Sequence, residues 1–139
     1  ELCAFRFEDL ELRNDAKPIL HLRKSKADQE SIGRVIPISH EISNLIESWR
    51  QRIGVTSGYI LRAVDKYGNV STKLSPGSIE LILSSLTDSI VKPADGSKFS
   101  GHSFRVGAAS DLLREGETLE RIIIKGGWAS SDSAMRYLQ

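Results

Sequence analysis

His102, Arg105, Trp128 and Tyr137, all in the last third of the sequence, are of types that could do chemistry on a phosphodiester. His102 and Arg105 are three residues apart, so on a helix they share one face a turn apart. They also fall in the first turn of the helix they predict. Backbone N–H groups and the helix dipole there favour an anion. Gly107-Ala108-Ala109 keeps that helix thin, so another element can approach it closely. Trp128 follows Gly126-Gly127, a pair that lets the chain reverse after a helix and turn a large side chain inward. Its indole N–H can donate to a phosphate oxygen. Tyr137 carries a phenol, which is a weak nucleophile at neutral pH unless cations or a base assist it. Lys26, in a turn between two predicted strands, carries an ammonium that could act as a general acid. Each of these residues alone also fits a structural role: a surface His-Arg pair, a core tryptophan, an amphipathic tyrosine, a solvated lysine.

No cluster of metal-ligating residues accompanies this set, so the chemistry it suggests is attack on phosphorus by protein groups alone, without a cofactor. The composition constrains the partner. Nineteen Lys and Arg against eighteen Asp and Glu give a net charge of +1, and acids and bases are nearly balanced in each third of the chain. A nucleic-acid surface must therefore come from where the cations sit, not from their excess. The 40% apolar content is ordinary for a globular protein. No apolar run is long enough to span a bilayer, and the N-terminus is not a signal peptide. Cys3 is the single cysteine and reads as a small buried apolar residue.

The elements that must position these residues can be read from caps and periodicity. Phe7–Leu12, Ile19–Leu22 and Val35–Ile38 predict three short strands, bounded by the turn signal Asn14-Asp15-Ala16-Lys17-Pro18 and by a polar turn from Ser25 to Gly33. Ser39 caps a helix whose stripe is Ile42, Leu45, Ile46, Trp49 and Ile53, and Gly54 stops it. Tyr59–Val64 reads as extended and Asp65–Asn69 as a turn. Ser75-Pro76 opens a second helix with the stripe Ile79, Ile82, Leu83, Leu86 and Ile90. Three short helices follow, from about His102 to Arg114, from Thr118 to Gly126-Gly127, and from Ser131 through Tyr137. The fold class is α+β and mainly helical, with a small three-stranded antiparallel sheet.

The ordered set Gly101-His102-Ser103-Phe104-Arg105-Val106-Gly107-Ala108-Ala109, then Gly116, then Gly126-Gly127-Trp128, then Tyr137 nine residues on, resembles the catalytic domain of the tyrosine recombinases, the phage-integrase family. The likeness runs back through Ser25-Lys26-Ala27, at the family's strand-turn lysine, to the segment from Glu1 to Leu10, which is similar to the stretch after the family's first catalytic arginine. It covers nearly all of residues 1–139.

The resemblance implies the fold of the DNA breaking-rejoining enzymes and a role for each matched residue. Tyr137 attacks the scissile phosphate and forms a 3′-phosphotyrosine. Arg105 and His102 hold the non-bridging oxygens. Trp128 stands where many members have His, Lys26 protonates the leaving oxygen, and Glu1 supports the site from behind. It also implies double-stranded DNA as partner, a tetramer on DNA for the full-length protein, and a cytoplasmic, bacterial or phage-encoded setting on a mobile element.

Two departures stand out. The first catalytic arginine is expected just upstream of Glu1, since Arg6 and Arg13 fall on its wrong side; the N-terminal core-binding domain and a final helix are not seen. Residues 1–139 alone are accordingly expected to be a truncated catalytic domain, weak or inactive. Two other readings stay open: a non-catalytic DNA-binding module, with a helix-turn-helix around Gly116, and a relaxing strand transferase of the type IB topoisomerase kind.

Overall fold

The computed structural model describes residues 1–23, 33–90, 93–128 and 130–138, in two compact units, Glu1–Pro76 and Gly77–Gln139. The first unit opens with two 3₁₀ turns, Leu2–Ala4 and Phe7–Asp9, and continues through β1 (Leu10–Glu11), β2 (Ile19–Leu22), β3 (Arg34–Pro37) and α1 (His40–Ile53). The strands form the expected antiparallel sheet in the order β1-β2-β3, with Leu10 opposite Leu20 and a four-residue β2–β3 pairing from Ile19↔Pro37 to Leu22↔Arg34. Leu20 and Leu22 lie two apart on one face of β2, and His21 between them is exposed. They join Phe5, Phe7, Ile38 and Ile60 in a core on which Ile46, Trp49 and Ile53 of α1 pack. The Trp49 indole N–H is satisfied by the carbonyl of Ile60 at 2.8 Å.

The segment predicted as a first strand from Phe7 to Leu12 is different. Phe7–Asp9 is a 3₁₀ turn, and the strand proper is Leu10–Glu11. Asp9 causes the difference. Its carboxylate accepts the Arg6 N–H at 2.9 Å while its own N–H returns to the Arg6 carbonyl at 3.0 Å, which closes a turn where a strand would run straight. The extended piece that begins at Tyr59 supplies the missing pairing through a bridge between Arg6 and Tyr59.

In α1 the Ser39 Oγ accepts from the Ile42 N–H, and Gly54 ends the helix at φ +69°, a left-handed conformation that a glycine adopts without cost. The buried face is rotated from the predicted stripe. Ile42 and Leu45 are exposed, and the fully buried residue of that turn is Ser43, whose hydroxyl bonds the His40 carbonyl. Ile46 and Ile53 pack on the core from the same helix.

The second unit carries α2 (Pro76–Asp88), α3 (Gly101–Arg114), α4 (Leu119–Gly126) and α5 (Ser131–Leu138). The last three pack on one another around Ala109, Ile122 and Ala134, each no more than 2% exposed. The stripe predicted for α2 does not become core: no residue of that helix is buried, and Ile82, Leu86 and Ile90 are exposed. An apolar groove of about 700 Å³, lined by Leu83, Leu86, Phe99, Phe104 and Ala108, separates α2 from α3 instead. No described helix is long and apolar enough to cross a membrane.

Among the described residues of the first unit, Asp9 is the charged side chain most firmly enclosed: 3% exposed, accepting the Arg23 Nε–H at 2.6 Å as well as the Arg6 N–H. Replacing Asp9 by Ala is expected to cost about 1–3 kcal/mol, because the Arg6 N–H loses its acceptor and the guanidinium its partner. Asp9→Asn, which keeps an acceptor, is expected to cost less. Urea unfolding midpoints of the two variants check this.

Candidate active site

The second unit brings His102, Arg105, Trp128 and Tyr137 together from three stretches of chain. Helix α3 starts one residue before His102, because Ser100 caps it: its Oγ accepts the Ser103 N–H at 3.3 Å, and the Ser103 hydroxyl accepts the Ser100 N–H at 3.2 Å. His102 and Arg105 therefore stand in the first turn on one exposed face. Farther along, Ala108 and Ala109 add little bulk, and α4 approaches closely.

Helix α4 starts at Thr118, whose hydroxyl accepts the Arg121 N–H, and ends at Gly127 with φ +66°. The N–H of Gly127 bonds the Ile124 carbonyl, and that of Trp128 reaches back to Ile123 at 3.2 Å. This reversal folds the indole back over the end of α4, where it is half-buried. The Arg105 guanidinium carbon lies 4.6 Å from the centre of that indole. A guanidinium held over a ring rather than by a carboxylate keeps N–H donors for an anion, and their fork matches the geometry of a phosphate. Among the described residues Arg105 makes no hydrogen bond or ion pair of its own.

Ala134, fully buried, seats α5 against its neighbours. One turn on, Tyr137 is 43% exposed and meets the His102 ring edge-on, with centroids 4.6 Å apart and planes at 72°. The phenol is thus fixed by one ring contact while its surface stays open. The arrangement gathers an accessible phenol, an imidazole in contact with it, and a guanidinium over an aromatic ring.

The sequence also predicts Lys26 and Glu1 as site residues. Lys26 falls outside the described residues. Glu1 belongs to the first unit, exposed at the start of the Leu2–Ala4 turn. The sequence reading missed Lys125, which lines a pocket of about 200 Å³ with Arg105, Gly126 and Trp128. Nothing in the sequence sets it apart from the other lysines; only the fold places it there. Its ammonium bonds the Glu117 carboxylate at 2.7 Å, and Arg121 reaches the same carboxylate at 3.3 Å. The bond from Lys125, then that from Arg121, holds the Glu117 carboxyl below its ordinary range.

A depressed folded-state pKa makes Glu117 a stabilising group above its unfolded pKa, and that contribution is lost as pH falls through the folded value. Melting temperatures followed downward from neutral pH are expected to fall less steeply in Glu117→Gln than in the wild type, with the two curves converging at the acid end.

The whole chain, residues 1–139, matches the family model described as the phage integrase family. The recombinase Cre of Escherichia phage P1 is 27% identical over 151 aligned residues that take in all of this chain and 44% of Cre. The crystal structure of XerA recombinase superposes on the entire chain with a TM-score of 0.71 at 21% identity, over 46% of its own length, a likeness of fold. The chain thus spans less than half the length of the relatives it matches. With a match from its first residue to its last, and with the helical fold and small sheet that go with it, the chain belongs to the phage integrase family of tyrosine recombinases.

Proposed function

We propose that residues 1–139 form the catalytic part of a site-specific DNA recombinase or integrase, and that its nucleophile is Tyr137. The observation that carries this reading is the meeting of an exposed Tyr137 with His102, on the helix turn from which Arg105 reaches the Trp128 ring. Family membership and the likeness to Cre support it.

In the proposed step the exposed Tyr137 phenol gives its proton to solvent water and its oxygen attacks the scissile phosphorus in line. The bond from phosphorus to the 5′ oxygen breaks, a 3′-phosphotyrosine forms, and the departing strand leaves as a 5′-hydroxyl with a proton from Lys26. Arg105 and His102 hold the non-bridging oxygens as charge builds on them, and the Trp128 N–H adds a donor. Positioning and charge stabilisation are most of what phosphoryl transfer requires, and these side chains supply both without a metal ion. The tyrosyl ester conserves the energy of the broken bond, so a second 5′-hydroxyl can reverse the step without a nucleotide cofactor.

Glu1 is assigned a supporting role, next to a first arginine placed upstream of it. Double-stranded DNA is the substrate, and the full-length protein acts as a tetramer on it, in the compartment where that DNA lies.

The test uses the whole protein that contains this chain and a pool of nicked duplexes, from which the freed 5′-hydroxyl strand diffuses away and traps the covalent complex. Tyr137→Phe, which keeps the ring contact with His102, is expected to abolish the protein–DNA adduct. Arg105→Ala is expected to slow its formation by about 100-fold or more. An adduct that persists in Tyr137→Phe sinks the assignment. Sequence-specific binding with no cleavage, indifferent to both changes, indicates a DNA-binding module instead. Supercoil relaxation without joining of paired sites indicates a topoisomerase-like enzyme.

A further inference from the structure

Gly126 is unlike the other glycines of the second unit. Its neighbour Gly127 has the left-handed conformation that ends α4, whereas Gly126 is an ordinary helical residue. Conformation therefore gives no reason for a glycine at 126, and helix propensity argues against one. Space gives the reason. A Cβ placed on Gly126 would collide with Cζ3 and Cε3 of the Trp128 ring and lie 2.9 Å from Cη2. At Gly96, Gly107 and Gly116 an added Cβ would meet nothing within 4 Å. The six-membered ring of Trp128 thus rests directly on the backbone of α4.

That same ring carries the Arg105 guanidinium at 4.6 Å. We infer that Gly126 is a positioning residue: the bare backbone at 126 sets the depth at which the Trp128 ring lies, and the ring in turn sets where Arg105 presents its N–H edges. Arg105, Gly126 and Trp128 line one pocket of about 200 Å³, so a displacement of the indole changes the surface on which the guanidinium rests. The inference rests on the proposed recombinase reading for its catalytic consequence, but not for the packing that it describes.

The experiment is Gly126→Ala in the whole protein labelled with 5-fluorotryptophan, with the Trp128 resonance assigned through Trp128→Phe. The Trp128 signal is expected to shift while that of Trp49 stays in place. Single-turnover adduct formation is expected to slow by between about tenfold and 100-fold, with DNA affinity and melting temperature little changed. Because the effect passes through the indole, Gly126→Ala is expected to cost nothing further in a Trp128→Ala background. An equal loss in both backgrounds would mean that residue 126 acts only through the helix end, and overturns the inference. So does an unmoved Trp128 signal. The resonance does not depend on cleavage: a wild type that never forms an adduct overturns the recombinase reading, and the Trp128 shift still decides whether Gly126 seats the ring.

Discussion

Close approach of α3, α4 and α5 at Ala109, Ile122 and Ala134 is the constraint on which the site depends. These three side chains are almost wholly removed from solvent, and two of them are alanines. Burial of Ile122 contributes about 1.5–3 kcal/mol, and the alanines bring the backbones near enough for that contact to form. The site needs this closeness more than it needs the energy. His102 can meet Tyr137 only if α5 lies against α3, and Arg105 can reach Trp128 only if the end of α4 does. A bulkier side chain at 109 or 134 would separate the helices and break both contacts.

Charge is handled locally, as a net of +1 requires. Arg23, Arg50, Arg114 and Arg121 each bond a carboxylate, and Lys125 shares Glu117 with Arg121. Arg105 is held by a ring. A carboxylate would orient the guanidinium equally well, but it would neutralise the charge and occupy the edges that a phosphate must use. An indole holds the group in place and leaves its charge uncompensated. Arg6 over Tyr59 and Arg62 over Phe7 show the same kind of contact in the first unit, where Arg62 also spends its donors on the carbonyls of Tyr59 and Ser57. Stacking alone therefore does not mark a site, and Arg6 over Tyr59 shows it too; what sets Arg105 apart is that its helix face also carries His102, which meets the exposed Tyr137.

Local signals in the sequence were legible because local physics sets them. Ser39, Pro76 and Thr118 open helices, and Gly54 and Gly127 close them, where the sequence indicates. The sequence could not show which apolar faces find partners. The α1 face turned to follow Ser43, a residue too small and polar to stand out, and the α2 stripe met a groove where packing was expected. The turn at Phe7–Asp9 escaped because Phe7 and the alternating pair Leu10 and Leu12, set among acids, mimic a strand, whereas the Arg6–Asp9 hydrogen bonds that bend it do not appear in a pattern. At the site, the His102–Arg105 spacing was readable along one helix. The contacts with Tyr137 and Trp128 are tertiary, and the seat at Gly126 needs coordinates.

The openness of the site has a consequence for its chemistry. Tyr137, His102 and Arg105 all face solvent, where a guanidinium stabilises a nearby anion only weakly because water screens it. Under the proposed reading the strength of the site must come from the substrate itself. A duplex laid over this face would exclude water from the phosphate and lower the local dielectric, and the same donors would then act on the building charge far more strongly. Under that reading the site is quiet without DNA and becomes effective when covered, which suits a phenol whose product is a covalent bond to a DNA strand. What the protein must prepare in advance is geometry, and the ring contacts at Tyr137 and Arg105 are the parts of it that persist in an open, hydrated site.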